Sequence, residues 1–358
     1  MLSFRKLFSQ IASSRSRPDR AVGVDIGSSS VKVVELHEQD GQTTLATYGE
    51  LQLGPYAEKE VGQAVTLQPR PEQQALVDVL RESGVSAEHA VLAMPLASSF
   101  VTTIEFRTRA DEDLESRVRV EARKYIPAAI SEVTLDWTEI EGTDDSERAH
   151  TVLLAAIQND ALARFQELMR FVKLPQPPTE IECFSAVRTL SSAEEHTIAI
   201  IDIGAVSAKL YVAKDGLVQR MHRVRAGGAI CTKRIASILE TDFNEAELKK
   251  RSVAAAGEVP ADFQRVHQTA YERAFHEFRQ VIEEYERSFD TELSTVYLTG
   301  GGALFPGVSN LLADELQRSV QLADPFGKVA YPAFMEDVLQ TIGPSFTVAL
   351  GAALRQFE

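Results

Sequence analysis

Ala21-Val22-Gly23-Val24-Asp25-Ile26-Gly27-Ser28-Ser29-Ser30-Val31-Lys32-Val33-Val34-Glu35-Leu36 reads as strand, tight turn, strand. Valine and isoleucine on both sides favour a buried, pleated backbone. Gly27 lets the chain turn where a Cβ would clash. At the turn stand one acid, Asp25, and the hydroxyls of Ser28, Ser29 and Ser30. Small hydroxyl residues and free N–H groups at such a turn can surround a phosphate. An acid beside them points to a metal riding on that phosphate. A variant of the phrase recurs at Ile198-Ala199-Ile200-Ile201-Asp202-Ile203-Gly204-Ala205-Val206-Ser207-Ala208-Lys209-Leu210-Tyr211-Val212. One Asp-Ile-Gly carries little information, because many hairpins hold an acid and a glycine. Two copies, each after a buried strand and before a second one, carry much more.

The rest of the chain is consistent with a large two-part α/β protein. At 358 residues it exceeds one small core. Composition is that of a globular protein, 44% hydrophobic and 25% charged. No apolar run approaches the roughly 20 residues of a membrane span. A net charge of −15 argues against broad nucleic-acid binding, since phosphate backbones need basic faces. Cys183 and Cys231 have neither ligand spacing nor a paired framework, so a cytoplasmic setting is expected. Residues 1–20 stand apart: Phe4, Leu7, Phe8 and Ile11 fall at helical spacing among Arg5, Lys6, Arg15 and Arg17. Such a segment packs on its own domain, frays, touches an anionic membrane surface or fits a partner groove.

Taken in order, 43–53 alternates as a third strand, 54–71 with its prolines reads as loop, Gln73–Ser83 as a helix and His89–Pro95 as a strand. A β-α-β-β-α run follows over 100–172, with a polar loop at Gly142–Arg148, and Pro175, Pro177 and Pro178 mark its exit. Glu182–Leu190 is helical and leads to the second Asp-Ile-Gly. Then come a strand through Arg225, Gly227-Gly228 opening a helix, and a short helix at Asn244–Arg251. Asn244 is the expected cap there, with Glu247 three residues on. A long helix over Asp262–Phe289 and a strand at Val296–Leu298 precede Thr299-Gly300-Gly301-Gly302, with a closing helix over 344–355.

Two hairpin phosphate turns, a Gly-Gly turn, a Glu-x-x-Lys helix and a late strand–Gly-Gly-Gly–helix, in that order, resemble the actin-like ATPase superfamily. The wording around Val24–Leu36, the block Glu121-Ala122-Arg123-Lys124-Tyr125-Ile126-Pro127 with Glu132–Trp137, Ile201–Ala205 and Leu298–Gly307 are similar to PilM, the actin-like family of type IV pilus assembly. The resemblance implies a two-lobed fold of duplicated ribonuclease-H-like domains with an inserted β-α-β-β-α subdomain. The expected division is 1–20, first lobe 21–97, insert 98–178, return to the first lobe 179–195, second lobe 196–343 with a nucleotide-clasping helical part over about 229–290, and closing helix 344–358.

It also implies ATP with Mg²⁺ between the lobes. Gly27, Ser28, Ser29, Ser30 and Lys32 would line the first phosphate turn, though Lys32 counts only if it points into the cleft. Gly204, Ala205 and Ser207 would line the second, where relatives often carry a hydroxyl at the position of Ala208. Asp25 and Asp202 would hold the metal through its waters. Gly227 and Gly228 would allow close backbone approach, Glu247 and Lys250 would meet ribose and adenine unless they form an ordinary surface ion pair, and Gly300, Gly301 and Gly302 would let adenosine lie on backbone at a helix N-terminus. No residue presents itself as the base that hydrolysis needs, since Glu121 and Asp136 lie in the insert, so ATP binding with slow or absent turnover is expected. The partner implied is the short cytoplasmic tail of a PilN-like inner-membrane protein, docked between the insert and the first lobe at the cytoplasmic face of that membrane. Other pilus platform proteins and the motor ATPases are further candidates. The alternatives are a small-molecule kinase of the same superfamily and an FtsA-like filament tethered to the membrane.

Overall fold

A computed structural model describes residues 18–108, 112–141, 149–174 and 180–357. In its first part β1 (Arg20–Ile26), β2 (Ser30–Gln39) and β3 (Gln42–Gln52) form a meander, followed by helix α1 (Pro69–Glu82) and strand β4 (Ala90–Met94). A second group comprises β5 (Ser99–Arg107), α2 (Leu114–Ala122), β6 (Val133–Glu141), β7 (Ala149–Gln158) and α3 (Asn159–Phe171). Then come β8 (Glu180–Ile181) and α4 (Glu182–Leu190). The last part holds β9 (Thr197–Ile203), β10 (Ala208–Lys214), β11 (Leu217–Val224), α5 (Gly228–Leu239), α6 (Phe243–Ala256), α7 (Ala261–Phe289), β12 (Thr295–Thr299), α8 (Val308–Leu316), β13 (Gln321–Leu322), α9 (Glu336–Ile342) and α10 (Thr347–Leu354).

Two five-stranded sheets have matching orders, β3-β2-β1-β4-β8 and β11-β10-β9-β12-β13. In each, an antiparallel meander supplies three strands and two parallel strands complete the sheet. The register is duplicated as well: Asp25 lies opposite Lys32, and Asp202 opposite Lys209. Residues 99–158 make a separate three-stranded sheet, β5-β7-β6, with its own core around Ile104, Val118, Ala122, Val152 and Leu154. Glu121 there is buried between Arg117 and Lys124, and Asp136 is buried too, so both serve that subdomain's interior.

Helix α10, although last in the chain, packs on the first sheet. It is apolar on every side and buried from Thr347 to Ala353, as a fully enclosed helix must be. Two glycines allow it. A Cβ on Gly23 would lie 1.9 Å from the Ala349 carbonyl oxygen, and one on Gly351 would lie 2.0 Å from that of Ser185 in α4. The Thr189 hydroxyl donates to the Thr347 carbonyl (2.9 Å), and Arg188 reaches the Gly351 carbonyl (3.1 Å). Helix α4 in turn shares a core with the second sheet, through Val187 and Leu190 with Ile198, Ile200 and Tyr211.

Some local expectations shift. Helix α1 starts at Pro69, inside the segment read as loop, because proline suits the first helical turn, where its missing N–H is not needed. Helix α6 is capped by Asp242, which accepts from the Glu245 N–H (2.8 Å), and runs to Ala256, so Asn244 is not its cap. Gly301–Leu304 adds a 3₁₀ turn after the glycine run, while the α-helix over Val308–Leu316 has the bounds expected of it. Residues 1–17, Gly142–Arg148 and the Pro175–Pro178 exit lie outside the described residues.

A Gly351→Ala chain should lose about 3 kcal/mol of stability, since two backbones must separate, whereas Gly301→Ala, where a Cβ meets nothing within 4 Å, should change it by less than about 0.5 kcal/mol. Urea unfolding of the two variants checks the difference.

Candidate functional site

A cleft of about 450 Å³ opens where the first turns of the two sheets face each other. Asp25, Gly27, Ser28, Ser29, Ser30 and Lys32 line it from the first sheet. Asp202, Gly204, Ala205, Ser207, Gly228, Glu247, Lys250, Gly300, Gly301 and Gly302 line it from the second. Gly227 does not reach it. That residue sits behind the second turn, where a Cβ would lie 2.4 Å from the Ala205 carbonyl oxygen, so its glycine serves the packing of α5 on the turn.

The two turns are closed identically: Gly27 N–H donates to the Ser30 carbonyl (2.9 Å) and Gly204 N–H to that of Ser207 (3.0 Å). Among the described residues, the N–H groups of Ser28, Ser29, Ala205 and Val206 have no acceptor in the protein. Backbone donors left over at adjoining turn positions form an anion-binding concavity. The start of α5 is pinned to the second turn, with Gly228 and Ala229 donating to the Gly204 and Ala205 carbonyls.

Charge is distributed unequally over these matched turns. Lys32 does reach the cleft, donating to the Ser30 hydroxyl (2.7 Å) and pairing with Glu50 (3.3 Å). Asp25 then has no cation within ion-pairing distance among the described residues. Burial pushes its carboxyl up to about 6, against the pull of Lys32. Asp202 instead holds the Lys209 ammonium (2.9 Å), which also pairs with Glu182 (2.6 Å). Burial opposes the charge on Lys209, but Asp202 and Glu182 outweigh it and raise its pKa. Glu182 opens α4 and also accepts the Leu96 N–H (2.7 Å). Lys209 and Glu182 carry no signal in a single sequence; only the crossing of α4 beneath the second sheet brings them together. The two acids expected to hold a metal through its waters thus differ in surroundings: Asp202 already has a cation, and Asp25 has none within ion-pairing distance among the described residues. No cluster of three His, Cys, Asp or Glu among the described residues is arranged to hold a metal.

At the other end, Glu247 and Lys250 form a pair 2.7 Å apart, but a buried one. The Glu247 carboxylate also accepts the Thr232 hydroxyl (2.6 Å) and Arg251 Nε (2.9 Å). Burial works against its ionisation, yet Lys250 and these donors hold its pKa below the ordinary value. Gly62, from the first half, lies so close that a Cβ would be 2.8 Å from the Glu247 Cδ. Beyond this pair His267 stacks on Phe305 at 3.6 Å and 10°, beside Tyr271, and all three line the cleft. A carbonyl only accepts, so His267 Nδ1 carries the proton it shares with Phe263 O (2.7 Å). Burial lowers the His267 pKa to about 4 and keeps the ring neutral. The aromatic periodicity of α7 marks its residues as core, which hides this pair from sequence reading. Of the three glycines, Gly300 (φ +86°) and Gly302 are demanded by contact with Asp202 and Ile203; only Gly301 presents open backbone.

The family model of the type IV pilus assembly protein PilM matches residues 23–357. The chain belongs to that family. A solved PilM-PilN type IV pilus biogenesis complex is similar over 96% of this chain and all of that one, at 26% identity and a TM-score of 0.81. MreB 5 of Spiroplasma citri, solved bound to AMPPNP, shares the actin-like fold over 94% and 95% of the two chains, at 11% identity and a TM-score of 0.50. The cell division protein FtsA of Bacillus subtilis (strain 168) is 29% identical over 162 residues, 39% of this chain. That match spans 37% of FtsA, well under half its length. Among the described residues no helix of this PilM-family protein is long and apolar enough to cross a membrane.

His267 has a measurable signature. Its folded pKa is below the ordinary 6.5, so the unfolded chain binds the extra proton and stability falls as pH drops through the window from 6.5 to 4. Asp25, with a raised pKa, acts in the opposite direction, and comparison with a variant cancels it. Relative to His267→Gln, the parent chain should lose about 2 kcal/mol on going from about pH 7.5 to about pH 5 in urea unfolding.

Proposed function

We propose that the cleft binds ATP and that the bound nucleotide sets the geometry of a docking surface for the cytoplasmic tail of a PilN-like membrane protein. The observation that carries the nucleotide reading is the pair of facing turns, each with unused backbone donors, set against a stacked aromatic pair at the far end. The triphosphate lies between Gly27–Ser30 and Gly204–Ser207, with Lys32 as a nearby charge. Ribose reaches the Glu247–Lys250 pair. The base meets Gly301 and the His267–Phe305 stack. Mg²⁺ would come with the phosphates, and Asp25, a cleft carboxylate without an ion-pair partner among the described residues, would hold it through its waters. The cleft is built from both halves, so ligand bound there favours one relative arrangement of the two.

Turnover is secondary in this reading. Water attack on a phosphate needs a residue that orients it, and Glu182, a buried carboxylate lining the cleft, is committed to Lys209 and Leu96. The docking role rests on the family and on the related complex solved with PilN, and the groove between the three-stranded subdomain and the first sheet is its proposed place. Association with the cytoplasmic face of the inner membrane follows from that partner.

Calorimetry with ATP and Mg²⁺ should give one site per chain. Phe305→Ala should weaken it about fivefold, the worth of one stacking contact; unchanged affinity would move the base elsewhere. A peptide of the PilN tail should bind the ATP-loaded protein, and no detectable heat would sink the docking role while leaving nucleotide binding intact.

A further inference from the structure

We infer that Lys209 is a resident cation of the nucleotide site, filling the place between Asp202 and Glu182 that a metal and its waters would otherwise take, so that the metal requirement falls on Asp25 alone. The inference rests on the nucleotide reading above. The register of the two hairpins is duplicated. Lys32 and Lys209 occupy equivalent places, opposite Asp25 and Asp202, yet their ammonium groups go opposite ways. The next strand decides this. Lys32 lies opposite Glu50 on β3, and that carboxylate draws the ammonium away from Asp25. Lys209 lies opposite Arg223 on β11, a like charge whose guanidinium donates to the Ser207 hydroxyl (3.2 Å). With a like charge on that side, Lys209 turns to Asp202 and to Glu182.

The consequence is a difference in local charge. Asp202, Glu182 and Lys209 together carry one net negative charge; without the lysine they carry two, with Asp25 adding a third beside the phosphate turns. A triphosphate entering beside three uncompensated carboxylates needs divalent metal to neutralise them. Beside a resident ammonium it needs much less. The side chain acts on charge and position; it forms and breaks no bond.

The test is ATP calorimetry on the full chain, in Mg²⁺ and in EDTA. The parent protein should lose less than about tenfold in affinity when Mg²⁺ is chelated, and Lys209→Gln about a hundredfold or more, as removal of one close countercharge implies. Lys209→Arg, which keeps the charge, should follow the parent. A second readout omits nucleotide: Mn²⁺ alone should raise the melting temperature of Lys209→Gln and leave the parent unmoved. If Lys209→Gln fails to fold, the charge-balanced Asp202→Asn, Lys209→Gln double variant takes its place and should show the parent's small metal dependence. Equal metal dependence in parent and Lys209→Gln, a large one in the double variant, or equal Mn²⁺ stabilisation of parent and variant, would overturn the inference. Absence of ATP binding by the parent in both buffers would overturn the nucleotide reading instead, and the Mn²⁺ melting comparison would still judge Lys209.

Discussion

Helix α10 lies against β1 and α4 backbone on backbone at Gly23 and Gly351, and the rest of the molecule hangs on that contact. Gly23 and Gly351 are the two places where any larger residue would push the elements apart. The first sheet leans on α10, the second on α4, and the two helices touch each other. The segment leading into α10 also reaches the cleft. The Pro344 carbonyl accepts both the Thr299 hydroxyl (2.6 Å) and the Gly300 N–H (2.9 Å), so the end of β12 is tied to the seam between the halves. A change of angle at this crossing would thus alter the cleft, and a ligand in the cleft bears on the crossing.

The duplication is close in backbone and loose in chemistry. Both hairpins close with the same Gly-to-Ser hydrogen bond and set an acid opposite a lysine. One acid is left open and the other neutralised. The difference comes from Glu50 on one neighbouring strand, Arg223 on the other, and Glu182 arriving from α4. Copying a fold preserves hydrogen-bond geometry, which backbone dictates, more strictly than charge, which side chains from several elements must balance.

Much of the architecture was legible in the chain. The two apolar hairpins, their shared turn and the intervening β-α-β-β-α run all have local signatures: β-branched alternation, turn glycines and helical spacing. Sixteen of the seventeen residues singled out for the cleft do line it, with Gly227 one layer behind. The misreadings were also local. Prolines at 69 and 71 suggested a loop but opened a helix, and the capping pattern at Asn244 was displaced by Asp242.

What the sequence determined by itself, then, is the set of elements and the phosphate-type turns, because periodicity and turn stereochemistry act over a few residues. What only the tertiary structure decided is which charges meet. Glu182 lies 27 residues from Lys209, and His267 stacks on Phe305 across the gap from α7 to the turn after β12. Such pairings depend on how whole helices cross, and no local pattern encodes a crossing.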